Sequence, residues 1–332
     1  MNIIITIITL LLLSYLLNKL ANKIKVPSVV ALILGGVIVG YPFLKSRIIE
    51  PNTHSIIILG DIALICLMFL AGLEGSWKKL YSEKKDALFI SVFAFMTPLV
   101  LGFLVFKLLG FSYVVSAIGG ICLSITAEGT TARVLLEIKK IRTKIGEAIL
   151  GAGIIDDVLG LFLFIIITFL LKESYLTDSL FIVGAIVSFF VGFAVQNILE
   201  NKKDIIQKIE KLLTLLIIPF FFFSMGISFE FSSLFLNIHL AVLIILIAMV
   251  GKIAGTIMTK PFVKLRFKQL HIIGWAMNSR GAVELALALI ALRSGLIPTE
   301  LYSGLVLMAL VTTLIFPVII TKMIKNDKKV MN

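Results

Sequence analysis

Two adjacent carboxylates, Asp156 and Asp157, stand in the run Gly151-Ala-Gly-Ile-Ile-Asp156-Asp157-Val-Leu-Gly160, about twelve residues from either end of an apolar stretch. An ionised side chain that deep in a membrane costs roughly 2.5–3.5 kcal/mol on insertion scales. Both ionised, the two repel each other and lack water, so they bind a cation, take up a proton or pair with a base. That is the chemistry of a site where a cation and a proton compete for the same oxygens. A second deep charge, Lys252, follows in Ala248-Met-Val-Gly251-Lys252-Ile-Ala-Gly255. It lies roughly 10 Å from the end of its helix, within snorkelling reach. Its small neighbours Gly251, Ala254 and Gly255 favour close helix packing instead, and with it a buried lysine paired to a carboxylate.

Two further stretches carry polar groups amid apolar residues: Ser124-Ile-Thr126-Ala-Glu128-Gly129-Thr130-Thr131 and Asn278-Ser279-Arg280-Gly281-Ala-Val-Glu284. A helix broken at such a place leaves backbone N–H and C=O groups unpaired and exposes half-helix ends with partial charge. Glu128 suits the N-terminal ends and Arg280 the C-terminal ends; the alternative is an intact helix that tolerates its polar residues. Arg133 and Glu137 read as structural, and Asp61 and Glu74 bracket their span.

These groups need an apolar scaffold, and the chain supplies one. Of its 332 residues 59% are hydrophobic and 15% charged, with a mean hydropathy of +1.11. Soluble domains run nearer half apolar and a quarter charged, so most of this surface must face lipid. The fold class expected is all-α integral membrane, with about eleven spans: 3–17, 27–44, 55–74, 87–108, 112–137, 145–171, 179–199, 209–231, 236–259, 269–292 and 300–322. No linker composition interrupts them, so 1–325 reads as one polytopic domain, followed by a short tail, 326–332. The first segment lacks a basic flank before it and a cleavage site after it, which makes it a retained helix rather than a signal peptide. Cys66 and Cys122 sit in apolar runs and are too few for a disulfide or metal framework.

Charge gives the expected orientation. Loops after odd-numbered spans and the C-terminal tail, counting Lys211 at the margin of its span, hold 23 of the 31 basic residues, among them Lys78, Lys79, Lys84, Lys139, Lys140, Arg142 and Lys144. Loops after even-numbered spans hold five: Lys45, Arg47, Lys107, Lys172 and Arg293. By the positive-inside rule the N-terminus lies outside, the C-terminus lies in the cytoplasm, and the spans are odd in number, in a multi-pass cell-membrane protein. The net charge of +12 is thereby headgroup-facing, not a nucleic-acid patch.

A faint repeat runs through the chain. Phe69-Leu-Ala-Gly72-Leu73 and Phe223-Ser-Met-Gly226-Ile227 are 154 residues apart, and the same offset carries Thr126 onto Arg280. Repeat 1 would then run over about 27–171 and repeat 2 over about 179–322. Five spans per copy is odd, so the second copy must be inverted, and inverted repeats with broken helices mark secondary transporters.

Taken in order, Val26-Pro27-Ser28 before Gly35-Gly36, Phe69-Leu-Ala-Gly-Leu-Glu74, Thr126-Ala127, Asp156-Asp157, Pro219-Phe-Phe-Phe-Phe-Ser-Met-Gly226, Lys252 and Arg280-Gly281-Ala-Val-Glu284 resemble the sodium/proton exchanger family of the cation:proton antiporter superfamily, in its paired-aspartate branch. The resemblance covers most of the chain. It implies an inverted-repeat antiporter fold with a scaffold part, a mobile core with two crossed broken helices, and elevator-like alternating access. It makes Asp157 the main ion-binding and proton-carrying carboxylate, Asp156 its helper and Lys252 the partner of Asp156. Two departures stand out. Between the Asp-Asp helix and Pro219 the family has about two more helices, scaffold helices whose loss puts the usual homodimer interface in question. Glu128 lies at a position where the family varies, and an acid there adds an ion ligand or alters stoichiometry.

The function expected is exchange of a monovalent cation, Na⁺ first, for H⁺, with Asp156 and Asp157 as the Na⁺ ligands, helped by Thr126, Glu128 and backbone carbonyls. Lys252, Arg280 and Glu284 form the ion-pair and broken-helix set. Partners are the cation, the proton and the bilayer; no cofactor, nucleic acid or nucleotide-gating domain is expected. The alternatives are a K⁺/H⁺ exchanger and a cation or pH sensor without transport. No filter-like segment supports a channel, the deep lysine and aspartates argue against organic-anion symport, and no nucleophile–base set supports an enzyme.

Overall fold

The computed structural model describes residues 3–24, 26–74, 85–170, 179–199 and 203–326. The basic residues Lys78, Lys79, Lys84 and Lys172 and the tail after Asn326 lie outside them. The main helices are α1 (Ile3–Ile24), α2 (Ser28–Val39), α3 (Thr53–Glu74), α4 (Lys85–Leu108), α5 (Tyr113–Cys122), α6 (Glu128–Glu137), α7 (Lys144–Leu170), α8 (Ser179–Ile198), α9 (Lys203–Leu216), α10 (Ile218–Ile227), α11 (Ile238–Met258), α12 (Phe267–Ala276), α13 (Ala282–Arg293) and α14 (Thr299–Asn326). Among the described residues seven stretches, from Ile3–Ile24 to Thr299–Lys325, are long and apolar enough to cross a membrane; Ser28–Val39, Tyr113–Cys122 and Val183–Ile198 are shorter apolar helices. The chain is an all-helical, multi-pass membrane protein.

Several expected spans are not single rods. The stretch 112–137 is α5 and α6, the stretch 269–292 is α12 and α13, and 209–231 contains the junction of α9 and α10 beside Pro219. Pro219 lacks an N–H and ends the ladder there. The stretch 27–44 narrows to the twelve residues of α2 and then turns at Gly40-Tyr41-Pro42.

The helices form two compact units: Met1–Ser76 with Asp178–Phe231, and Trp77–Thr177 with Ser232–Asn332. In the first, α3 packs on α8 and α10 packs on α2. Glycines permit both crossings, as is usual where helices meet without a hydrophobic driving force. A methyl group at Gly36 would stand 2.5 Å from the Phe222 carbonyl oxygen and 3.1 Å from Gly226 Cα, so backbone meets backbone. Gly72 and Gly192 play the same part between α3 and α8.

In the second unit α4 and α11 form the central pair; α5 and α7 pack on α4, and α12 and α14 pack on α11. A buried core of Ile90, Ala94, Leu135, Ile145, Ile149, Leu265, Leu270, Ile273 and Phe316 fills one end. The breaks have local causes. Ser124 Oγ donates back to the Gly120 carbonyl at 2.8 Å at the end of α5, and Asn278 Nδ2 donates to the Gly274 carbonyl at 2.8 Å at the end of α12. Such side chains offer the backbone partners that compete with the continuing helix.

Candidate functional site: a buried charge cluster between two broken helices

The two helix breaks of the second unit touch. Ala127 N donates to the Ser279 carbonyl at 2.8 Å, which joins the chain between α5 and α6 to the chain between α12 and α13. The carbonyls freed at the end of α5 are taken by Arg280: its guanidinium donates to Leu123 O at 2.6 Å and also to Ile125 O. At the end of α12, Thr131 Oγ1 donates to Ala276 O at 3.1 Å, and Thr126 Oγ1 lies 3.2 Å from Met277 O. Each broken end thus finds its partners on the other break. That is how irregular backbone survives inside a membrane protein.

Arg280 is fully buried, and so is Glu284 one turn later, with Arg280 Nη1 3.8 Å from Glu284 Oε2. No hydrogen bond reaches either Glu284 oxygen among the described residues. Arg280→Met therefore strips two carbonyls and one carboxylate of their partner at once. A loss of about 3–5 kcal/mol is expected from a buried charge left unpaired, read as a lowered thermal-unfolding midpoint in detergent. Arg280→Lys should recover little of it, because an ammonium cannot fork to two carbonyls as a guanidinium does.

The aspartate pair lies on α7 against this crossing, and its two members differ. Asp156 is fully buried and receives three donors: Ser91 Oγ at 2.7 Å on Oδ1, and Thr126 Oγ1 at 2.8 Å and Lys252 Nζ at 2.5 Å on Oδ2. Thr126 has one proton to give, and the shorter bond to the charged oxygen claims it over Met277 O. Asp157, at 8% exposure, is the more open carboxylate.

Lys252 reaches Asp156 because α11 lies close against α4. Methyl groups at Gly251 and Gly255 would stand 2.8 Å from Pro98 Cα and 2.8 Å from Thr97 Oγ1, so only glycines allow this approach. Lys252 does not snorkel; it is fully buried, and its Nζ–Asp156 ion pair has both side chains out of solvent. Thus Thr126, Asp156, Lys252, Arg280 and Glu284 come together with Asp157 alongside. Glu128 opens α6, but its side chain lies outside the described residues. Arg133 and Glu137 form an exposed pair at 3.5 Å, apart from the buried cluster.

Ser91 is the residue that sequence reasoning passes over. A lone serine in an apolar run carries little signal, because its hydroxyl usually bonds back to its own helix. Only the fold shows that it faces Asp156.

The profile described as "Sodium/hydrogen exchanger, transmembrane" matches residues 7–199 and 166–326. The chain is 26% identical to a Na⁺/H⁺ antiporter of Enterococcus hirae, over 91% of this chain and 93% of that one. It is 25% identical to the Na⁺/H⁺-K⁺ antiporter GerN of Bacillus cereus, over 93% of each. Its fold resembles the sodium proton antiporter MjNhaP1 from Methanocaldococcus jannaschii, with a TM-score of 0.70, 19% identity and full coverage of both chains. The chain belongs to the sodium/hydrogen exchanger family, within the cation:proton antiporter superfamily, and is a transporter rather than an enzyme.

Proposed function

We propose that this protein exchanges a monovalent cation, Na⁺ first, for protons by alternating access, with Asp157 as the group that takes cation and proton in turn. The observation that carries the reading is the asymmetry of the aspartates. Asp156 has its oxygens engaged by Ser91, Thr126 and Lys252, whereas its neighbour Asp157 is the more open. Hard cations prefer oxygen ligands. Asp157 supplies the first, and Thr126 Oγ1, carbonyls at the breaks and Glu128 are the remaining candidates. An approaching cation weakens the hold of Lys252 on Asp156 and recruits Asp156 as a second carboxylate. A proton on Asp157 removes the charge that held the cation and expels it. Arg280 and Glu284 keep the breaks intact through the cycle.

Packing supports the inverted repeat. Under the 154-residue offset α2 corresponds to α8 and α3 to α10, and the pairs α3–α8 and α2–α10 exchange partners as an inverted copy requires. The same offset relates α4 to α11, α5–α6 to α12–α13, and α7 to α14, with matching neighbours in the second unit. Counting each broken pair as one crossing, with α2 and α8 as one each, the seven long stretches become eleven spans. The excess of basic residues in alternate loops supports an outside N-terminus and a cytoplasmic C-terminus. K⁺ is the second reading, favoured by the name of the Bacillus cereus relative.

If one site serves both ions, the apparent KM for Na⁺ should rise as pH falls. The expected slope is about tenfold per pH unit for one competing proton, with maximal rate preserved at saturating cation. A KM flat across the pH range, with only the maximal rate changing, would place the proton elsewhere and sink the shared site.

A further inference from the structure

Three segments of the second unit interleave apolar and basic residues: Ile138-Lys139-Lys140-Ile141-Arg142-Thr143-Lys144-Ile145, Val263-Lys264-Leu265-Arg266-Phe267-Lys268 and Lys322-Met323-Ile324-Lys325. They belong to the α6–α7 turn, the α11–α12 connection and the end of α14. Their apolar members converge on one place. Ile145, Val263, Leu265 and Ile324 are buried in a single core cluster, with Ile138, Ile141 and Met323 packed against it. Basic members of the same segments stand outward around that cluster. Arg142, Lys144, Lys264, Arg266 and Lys268 are all exposed. The acids on the neighbouring elements include Glu137, which pairs with Arg133, Glu147, and Asp86 in the first turn of α4.

Two phenylalanines break through the basic rim. Phe262 is 53% and Phe267 62% exposed, and Lys260 Nζ stands 5.7 Å above the Phe267 ring. Phe262 also stacks on Phe89 at 5.2 Å, which fixes its ring at this end of the unit. Bare aromatic rings within a dense positive surface suit a partner that offers negative charge and hydrocarbon side by side.

We propose that this end of the second unit is a docking surface for the headgroups of anionic lipids, with phosphate over the basic rim and acyl chains against Phe262 and Phe267. The bilayer around the protein is the source of the ligand. A soluble polyanion would leave the two phenylalanine rings without a role, which is why the lipid is favoured.

The test uses the full chain purified in detergent, titrated with phosphatidylglycerol or phosphatidylcholine, with bound lipid counted by native mass spectrometry. Phosphatidylglycerol should be retained in preference. In K140Q/R142Q/K144Q that preference should fall at least about fivefold, the scale of one basic group at a charged membrane surface. K264Q/R266Q/K268Q is an independent second variant should the first fold poorly. K45Q/R47Q, in the other unit, should leave the preference intact. Equal retention of both lipids, or a preference untouched in both basic variants, overturns the proposal. Displacement of the lipid by glycerol phosphate at equal concentration overturns it too, because the site would then bind a small anion.

Discussion

Lys252→Ala is expected to destabilise the protein by about 3–5 kcal/mol, the range for a buried ion pair that loses one partner. The geometry explains why so much is at stake. Lys252 and Asp156 are both fully buried with 2.5 Å between Nζ and Oδ2, so no solvent can replace the lost ammonium. Ser91 and Thr126 remain as donors but carry no charge. A second variant separates charge from packing. Lys252→Met with Asp156→Leu removes both charges and fills the space with apolar side chains, and should recover most of the stability. Exchange should not return with it, because Asp156 can no longer join Asp157 as the second carboxylate on the cation. A double-mutant cycle on thermal unfolding in detergent measures the coupling. Additive effects in that cycle would mean that the pair does not act as one.

Asp157→Asn should bring cation-driven exchange down to the level of protein-free liposomes while the fold survives. Asparagine keeps the shape of aspartate but has no charge to give up, so it can neither balance a cation nor carry a proton. Asp156→Asn should behave differently. It also strips Lys252 of its counter-ion, so a stability loss should accompany any loss of exchange. The contrast between the two neighbours separates the carboxylate proposed to carry the proton from the one that also anchors Lys252, and thermal unfolding together with flux in the same preparation reads both.

Much of this was legible in the residues. Asp156, Asp157, Lys252 and Arg280 stand out because charge deep in an apolar run is expensive and needs a reason. The two breaks were visible as polar, glycine-containing interruptions, and the structure ends α5 and α12 there. Other features depend on contacts distant in the chain. Ser91 is 65 residues from Asp156, and nothing near it in sequence hints at the bond. The division into two units is equally hidden, since each is assembled from two separate stretches. Helix ends depend on geometry as well as hydropathy: Pro219 interrupts the ladder within one crossing, and α2 ends before the turn into Pro42.

The proposed exchange couples cation and proton flow at the aspartate pair. The most direct measurement uses liposomes that hold the purified protein and a pH-sensitive dye. A proton gradient is imposed, and Na⁺, Li⁺ or K⁺ is then added to wild type and to Asp157→Asn. Na⁺ should dissipate the gradient in the wild type and have no effect in the variant. No cation-dependent signal from the wild type at any pH, or full activity in Asp157→Asn, would contradict it.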